Sequence, residues 1–125
     1  MSVSSNPKIV IDLDQTLTLK CKEGDYANVE VNPEVVKTLR KYRKDGFEIV
    51  IMTARNMRTH QGNVGKINAI TLPIIIDWLN KHNIPYDEIH VGRPWCGKGG
   101  FYVDDKAIRP DEFTNMSYEE IMEII

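Results

Sequence analysis

The stretch Lys8-Ile9-Val10-Ile11-Asp12-Leu13-Asp14 constrains this chain more than any other part of it. Its apolar, β-branched beginning has the pattern of a strand buried in a parallel sheet. Its end is abruptly acidic. Side chains two apart on a strand project to the same side, so Asp12 and Asp14 leave the strand end together. In an open α/β sheet the crevice at the carboxyl ends of the strands is where ligands bind. Two close carboxylates repel, and a divalent cation or a shared proton is the usual compensation.

A D-x-D pair alone is a poor motif, because Asp is common at strand ends. Its weight comes from three further segments of the same form, an apolar strand followed by polar residues. Phe47–Met52 is the second expected strand and leads into Thr53-Ala54-Arg55. Glu88–Val91 is the third, followed by the glycine-rich Gly92–Gly100 with Arg93 and Lys98. Phe101–Val103 is the fourth and ends in Asp104-Asp105. Between the first two, Asn32-Pro33-Glu34 has the cap, proline and first-turn acid of a helix start, and Gly46 stops that helix. Alternation at Thr16–Lys20 and Ala27–Val31 around Gly24 predicts a short hairpin over the first strand's crevice. Residues 55–71 are polar and weakly periodic, so they are expected to form a long loop before a helix over Ile74–Lys81. An earlier start near Lys66, kinked at Pro73, is the alternative. Asn83 suits the left-handed position that ends this helix. Ser117–Glu120 is a capping box for a last helix reaching Ile125.

Strands alternating with helices imply a parallel sheet with right-handed crossovers. At 125 residues the chain makes one domain, 1–125, with room for a real core. A net charge of −2 gives no reason to expect nucleic acid or a membrane surface as partner. Cys21 and Cys96 form no zinc pattern, and one disulfide between them stays open. Met1–Pro7 reads as a loose leader without signal-peptide regions, and no apolar run spans a bilayer, so a soluble cytoplasmic protein is expected. The dinucleotide fingerprint G-x-G-x-x-G does not follow the first strand.

Brought into one crevice, the four strand ends supply acids, a hydroxyl, backbone amides and a cation from Arg93 or Lys98. Four acids at one edge call for a hard cation, and an all-oxygen set suits Mg²⁺. A hydroxyl, an amide and a cation facing that ion form a cradle for a phosphoryl group, and the substrate expected is a phosphate ester. One carboxylate attacks phosphorus and its neighbour manages the proton.

With these residues in view, the chain resembles the haloacid dehalogenase superfamily. Asp12-Leu13-Asp14-Gln15-Thr16 matches its D-x-D-x-T signature, Met52-Thr53 its second motif, and Val103-Asp104-Asp105 its fourth. Thr53-Ala54-Arg55-Asn56-Met57, Gly62-Asn63 and Gly92-Arg93-Pro94-Trp95 look more narrowly like small bacterial phosphatases of capsule and surface-polysaccharide biosynthesis. The resemblance implies a Rossmann-like three-layer α/β/α sandwich around a parallel sheet, with no cap domain. It makes Asp12 the nucleophile, Asp14 the general acid/base, and Thr53 a hydrogen-bond donor to the phosphate. It gives Mg²⁺ to Asp12, the carbonyl of Asp14 and one fourth-motif acid, Asp105 preferred and Asp104 behind it. The substrate implied is small and phosphorylated, a sugar phosphate. Ala54, Arg55, Arg58, His60, Lys66 and Trp95 are then candidates to contact it.

Two departures stand out. Gln15 occupies a position that is commonly Gly, and Arg93 stands where Lys before Pro is usual. That leaves both Arg93 and Lys98 as the phosphate-binding cation. Rival functions are a phosphatase for a macromolecular substrate and a non-catalytic binding module that keeps the fold.

Overall fold

The computed structural model describes residues 6–22 and 24–125, so most of the expected leader lies outside the described residues, as does Glu23 in the expected hairpin turn. A parallel three-stranded sheet of order β1-β2-β3 forms the centre: β1 Lys8–Asp12, β2 Glu48–Met52 and β3 Glu88–His90. The register pairs Ile9 with Ile49, and Ile11 with Ile51 and then Ile89. These isoleucines share one face by strand alternation, and they join the core with helices α1 (Pro33–Lys44) and α3 (Leu72–Lys81). The α/β class and the open parallel sheet are as the sequence predicts. Among the described residues no helix is long and apolar enough to cross a membrane.

Helix α1 begins as its sequence predicts, with Pro33 in its first turn and the Asn32 side chain accepting from the Val35 amide at 3.5 Å. Val35, Val36, Leu39 and Tyr42 form its buried stripe. Its last turn is tied to the start of β3 by the Arg43–Asp87 ion pair, and Asp87 also accepts from the Ile49 amide at 2.8 Å.

Four local expectations need correction. The segment 55–71 is a loop only as far as Gly62. Asn63 then caps a helical turn, α2 (Val64–Lys66), its side chain accepting from the Lys66 amide at 3.1 Å. A wider turn at Ile67–Thr71 joins α2 to α3. Pro73 brings no N–H and sits in the first turn of α3, just after that widened turn, so the helix passes through it instead of starting there. The earlier helix start is the one that forms. Among the described residues the hairpin keeps a single antiparallel bridge, Thr18 with Val31, while Val29 is drawn into the core and its carbonyl accepts from Trp78 Nε1 at 2.8 Å.

The fourth strand does not form. Residues 101–103 make no ladder, and Phe101 and Val103 are 79% and 86% exposed. A helix that the periodicity did not single out, α4 (Pro110–Asn115), stacks Phe113 on Tyr42 at 5.4 Å between ring centres. Helix α5 (Tyr118–Ile124) starts at the expected capping box, with the Glu120 amide on Ser117 Oγ at 3.2 Å and the Ser117 amide on Glu120 Oε1 at 2.9 Å. Both cysteines are free.

Candidate active site

An open pocket of about 450 Å³ lies at the carboxyl ends of the three strands. β1 delivers Asp12 at its last position, and the chain then turns sharply. The Thr18 amide bonds back to the Leu13 carbonyl at 3.1 Å, and Gln15 takes φ +57°. Thr18 Oγ accepts from the Gln15 amide at 3.0 Å and donates to the Leu19 carbonyl at 2.8 Å, which holds that turn. Asp12 and Asp14 therefore both reach the pocket. Burial pushes the Asp12 carboxyl above the ordinary Asp range; the Leu13 amide opposes this, Asp14 adds to it, and Arg93 and Arg55 oppose it.

The end of β2 supplies the next wall. Thr53 continues the ladder, its amide donating to the His90 carbonyl at 2.9 Å and its own carbonyl accepting from the Arg93 amide at 3.1 Å. Its side chain is fully buried, and its Oγ accepts from the Arg55 amide at 3.0 Å, so it stands behind the pocket and shapes the turn that aims Arg55. Arg55, whose side chain is 1% exposed, grips Asp14 through Nε at 3.2 Å to both oxygens and through Nη2 at 2.7 Å. A charge this deep needs such a partner, since removing one member of a buried pair costs roughly 3–5 kcal/mol. Its Nη1 has no hydrogen-bond partner among the described residues. Over the guanidinium lies the ring of Tyr26, at 4.2 Å.

After β3, Gly92 at φ +84° swings the chain so that Arg93 enters the pocket. A side chain at Gly92 would be strained at that φ, and its Cβ would press on Val64 at 3.0 Å. The Arg93 guanidinium lies over the Tyr102 ring at 3.6 Å. Lys98 sits exposed in the turn at 97–100, outside the pocket wall. Of the two candidate cations, the pocket contains Arg93.

Ala54, Arg58 and Trp95 line the pocket as the sequence suggested; His60 and Lys66 do not. Asp104 and Asp105 are exposed and outside the wall, with Asp104 capping the Lys106 amide at 2.8 Å. The expected meeting of four acids does not occur within one chain, because the strand meant to carry the last two is not in the sheet. Lys20, Tyr26 and Tyr102 also line the pocket and were not singled out from sequence. The expected overhang of residues 16–31 was the signal for the first two; Tyr102 gave none.

Asp12 and Asp14 are oxygen donors of the kind that suits a hard divalent cation. Among the described residues, however, no group of three or more His, Cys, Asp or Glu side chains is placed to hold a metal. Of the expected magnesium ligands, Asp12 and Asp14 reach the pocket, while Asp104 and Asp105 do not.

The model for haloacid dehalogenase-like hydrolases matches residues 9–91, well over half of the chain. The chain belongs to the haloacid dehalogenase-like hydrolases. The hydrolase domain is also similar to a crystal structure of a structural-genomics target from Vibrio cholerae, with 58% identity and a TM-score of 0.92, over 94% of this chain and 95% of that one. Two structures of the Pnkp1/Rnl/Hen1 complex, the first described as an RNA repair complex, share only the fold with this hydrolase. One is 23% identical over 73% of this chain and 27% of that chain, with a TM-score of 0.50. The other is 22% identical over 91% of this chain and 36% of that chain, with a TM-score of 0.52. No curated protein sequence matches this one.

Proposed function

We propose that this hydrolase is a magnesium-dependent phosphomonoesterase working through an aspartyl-phosphate on Asp12. The observation that carries this reading is the convergence of Asp12, Asp14, Arg55 and Arg93 on one pocket at the strand ends. Asp12 Oδ forms a bond to phosphorus as the bond from phosphorus to the ester oxygen breaks. Asp14, entering the step protonated, gives the leaving alkoxide its proton. A water then attacks phosphorus, Asp14 takes the water's proton, and Asp12 is released with inorganic phosphate. Splitting the displacement in two in this way avoids one difficult step. Arg93 faces Asp12 with fixed positive charge, where the transferring oxygens gather negative charge. Arg55 pairs with the carboxylate form of Asp14, the form that takes the water's proton in the second step. Magnesium, when bound, neutralises charge on the transferring group.

A pocket of this size fits a small ligand. Arg58 offers a cation to a second anionic group, and Trp95 offers a flat apolar face to a sugar ring. A sugar phosphate is therefore the proposed substrate. The likeness of the Thr53–Met57 and Gly92–Trp95 segments to capsule phosphatases supports a place in surface-polysaccharide biosynthesis. With magnesium and an aryl phosphate, Asp12→Asn is expected to abolish turnover while leaving the circular dichroism spectrum unchanged. If most of the turnover survives, Asp12 is not the nucleophile and the reading fails. A panel of sugar phosphates ranked by kcat/KM then tests the substrate class.

A further inference from the structure

Two parts of this molecule are unfinished, and they are complementary. The first is β1. The sheet order puts it at an edge, with β2 on one side and no described strand on the other, and Val10 in its middle is 61% exposed. An unpaired, apolar edge is a template for another strand. The second is the segment 101–105, two exposed apolar residues flanking Tyr102, then Asp104 and Asp105. It has the composition of a strand and no ladder to join.

We propose that residues 101–105 of a second copy of this chain add as a parallel strand to the free edge of β1, and that the exchange is reciprocal. Parallel addition brings Asp104 and Asp105 of the second copy to the end of β1 that carries Asp12 and Asp14. Antiparallel addition would send them to the opposite end. The active site would then be shared, with the nucleophile from one copy and the last acids from the other. This rests on the phosphatase reading for what those acids do, but not for the exchange itself.

Geometry favours a second copy over the chain's own segment. A strand parallel to β1 must begin near the amino end of β1. The chain's own Tyr102 is held at the other end, its hydroxyl donating to the Pro94 carbonyl at 2.7 Å and its ring under Arg93. Downstream, α4 is fixed on α1 by the Phe113–Tyr42 stack. The segment is therefore tethered on both sides by its own body, and its apolar side chains face outward. Charge fits as well: Arg55, Arg58 and Arg93 line the pocket that would receive the two acids, and buried Arg55 Nη1 still lacks an acceptor. Exchange of an identical element between protomers is a low-cost route to a dimer.

Light scattering is expected to give twice the 14.4 kDa chain mass for the wild type. It should give a single chain mass for Val103→Pro, since proline cannot donate to a ladder and this side chain has no burial to lose. A monomeric wild type overturns the proposal, and so does a Val103→Pro variant that stays dimeric. Mixing decides the shared site. Asp12→Asn and Asp105→Asn should each be inactive alone. After joint refolding, about a quarter of wild-type activity should return, because half of random pairs are mixed and each holds one intact site. A mixture as inactive as its parts overturns the proposal. A dimeric wild type that loses its pairing in Val103→Pro but hydrolyses no phosphate would overturn the phosphatase reading and leave the exchange standing.

Discussion

Gln15 sits at φ +57°, in the left-handed region where a β-carbon is crowded and glycine is at ease. The sequence singled out Gln15 as a departure from a glycine expected in the resembled signature and left the local turn open; the Thr18 hydroxyl that holds the turn gave no signal. Asp12 and Asp14 were expected together from strand alternation, and both reach the pocket, Asp14 from the turn just past the end of β1. Arg55 was legible only as one cation among several, since its burial and its grip on Asp14 depend on how the turn after Thr53 folds. Asp12 also leads to a pH prediction. Burial raises its pKa, so in the magnesium-free protein Asp12 should titrate above the ordinary Asp range, as carboxyl-carbon NMR reads it. Arg93 pulls that pKa down, so Arg93→Ala should move the magnesium-free titration to higher pH as well as lowering kcat. A titration that stays in place would mean that Arg93 does not act on Asp12 electrostatically.

Among the elements, α1 and its neighbours were the most legible, because cap, proline, stripe and stop agreed. The helix before β3 was harder. Pro73 suggested a start, but a widened turn just before it carries the helix in from α2, and Asn63 with its own side-chain cap is where the helix begins. The start of α4 carried Pro110, Asp111 and Glu112, a legible signal that the pattern of apolar residues concealed. The clamp between elements is Asp87, whose carboxyl is held below the ordinary range by Arg43 first and by the Ile49 amide second. A depressed carboxylate stabilises the fold above its unfolded pKa, and that stability fades as pH falls through the folded value. Asp87→Asn should cost roughly 1 kcal/mol at neutral pH, since the pair is partly solvent-screened, and should flatten the loss of stability on acidification. Urea melts at neutral pH and at pH 3 check both. Equal losses at the two pH values would put the clamp's value in shape and not in charge.

For the whole molecule, the parallel sheet and its helices could be read from the order of apolar runs. The position of Phe101–Asp105 could not. Those residues have a strand's pattern, but a pattern specifies which faces want burial and not which chain provides it. The same ambiguity explains why Asp104 and Asp105, expected in the site from sequence, lie outside the pocket wall of their own chain. A strand signal that finds no ladder in its own chain is thus informative in itself: it locates the surface where the fold is open.

Trp78 is buried in the core, bonded to the Val29 carbonyl and lying 4.8 Å from the His82 ring. Burial and Lys81 hold the His82 pKa below its usual value. A protonated imidazole quenches indole emission, so the fold carries its own optical probe. With Trp95→Phe removing the other indole, emission should dim on acidification with a midpoint below that of free histidine. Replacing His82 with Gln should abolish the step, and a step that persists would trace the dimming to some other group.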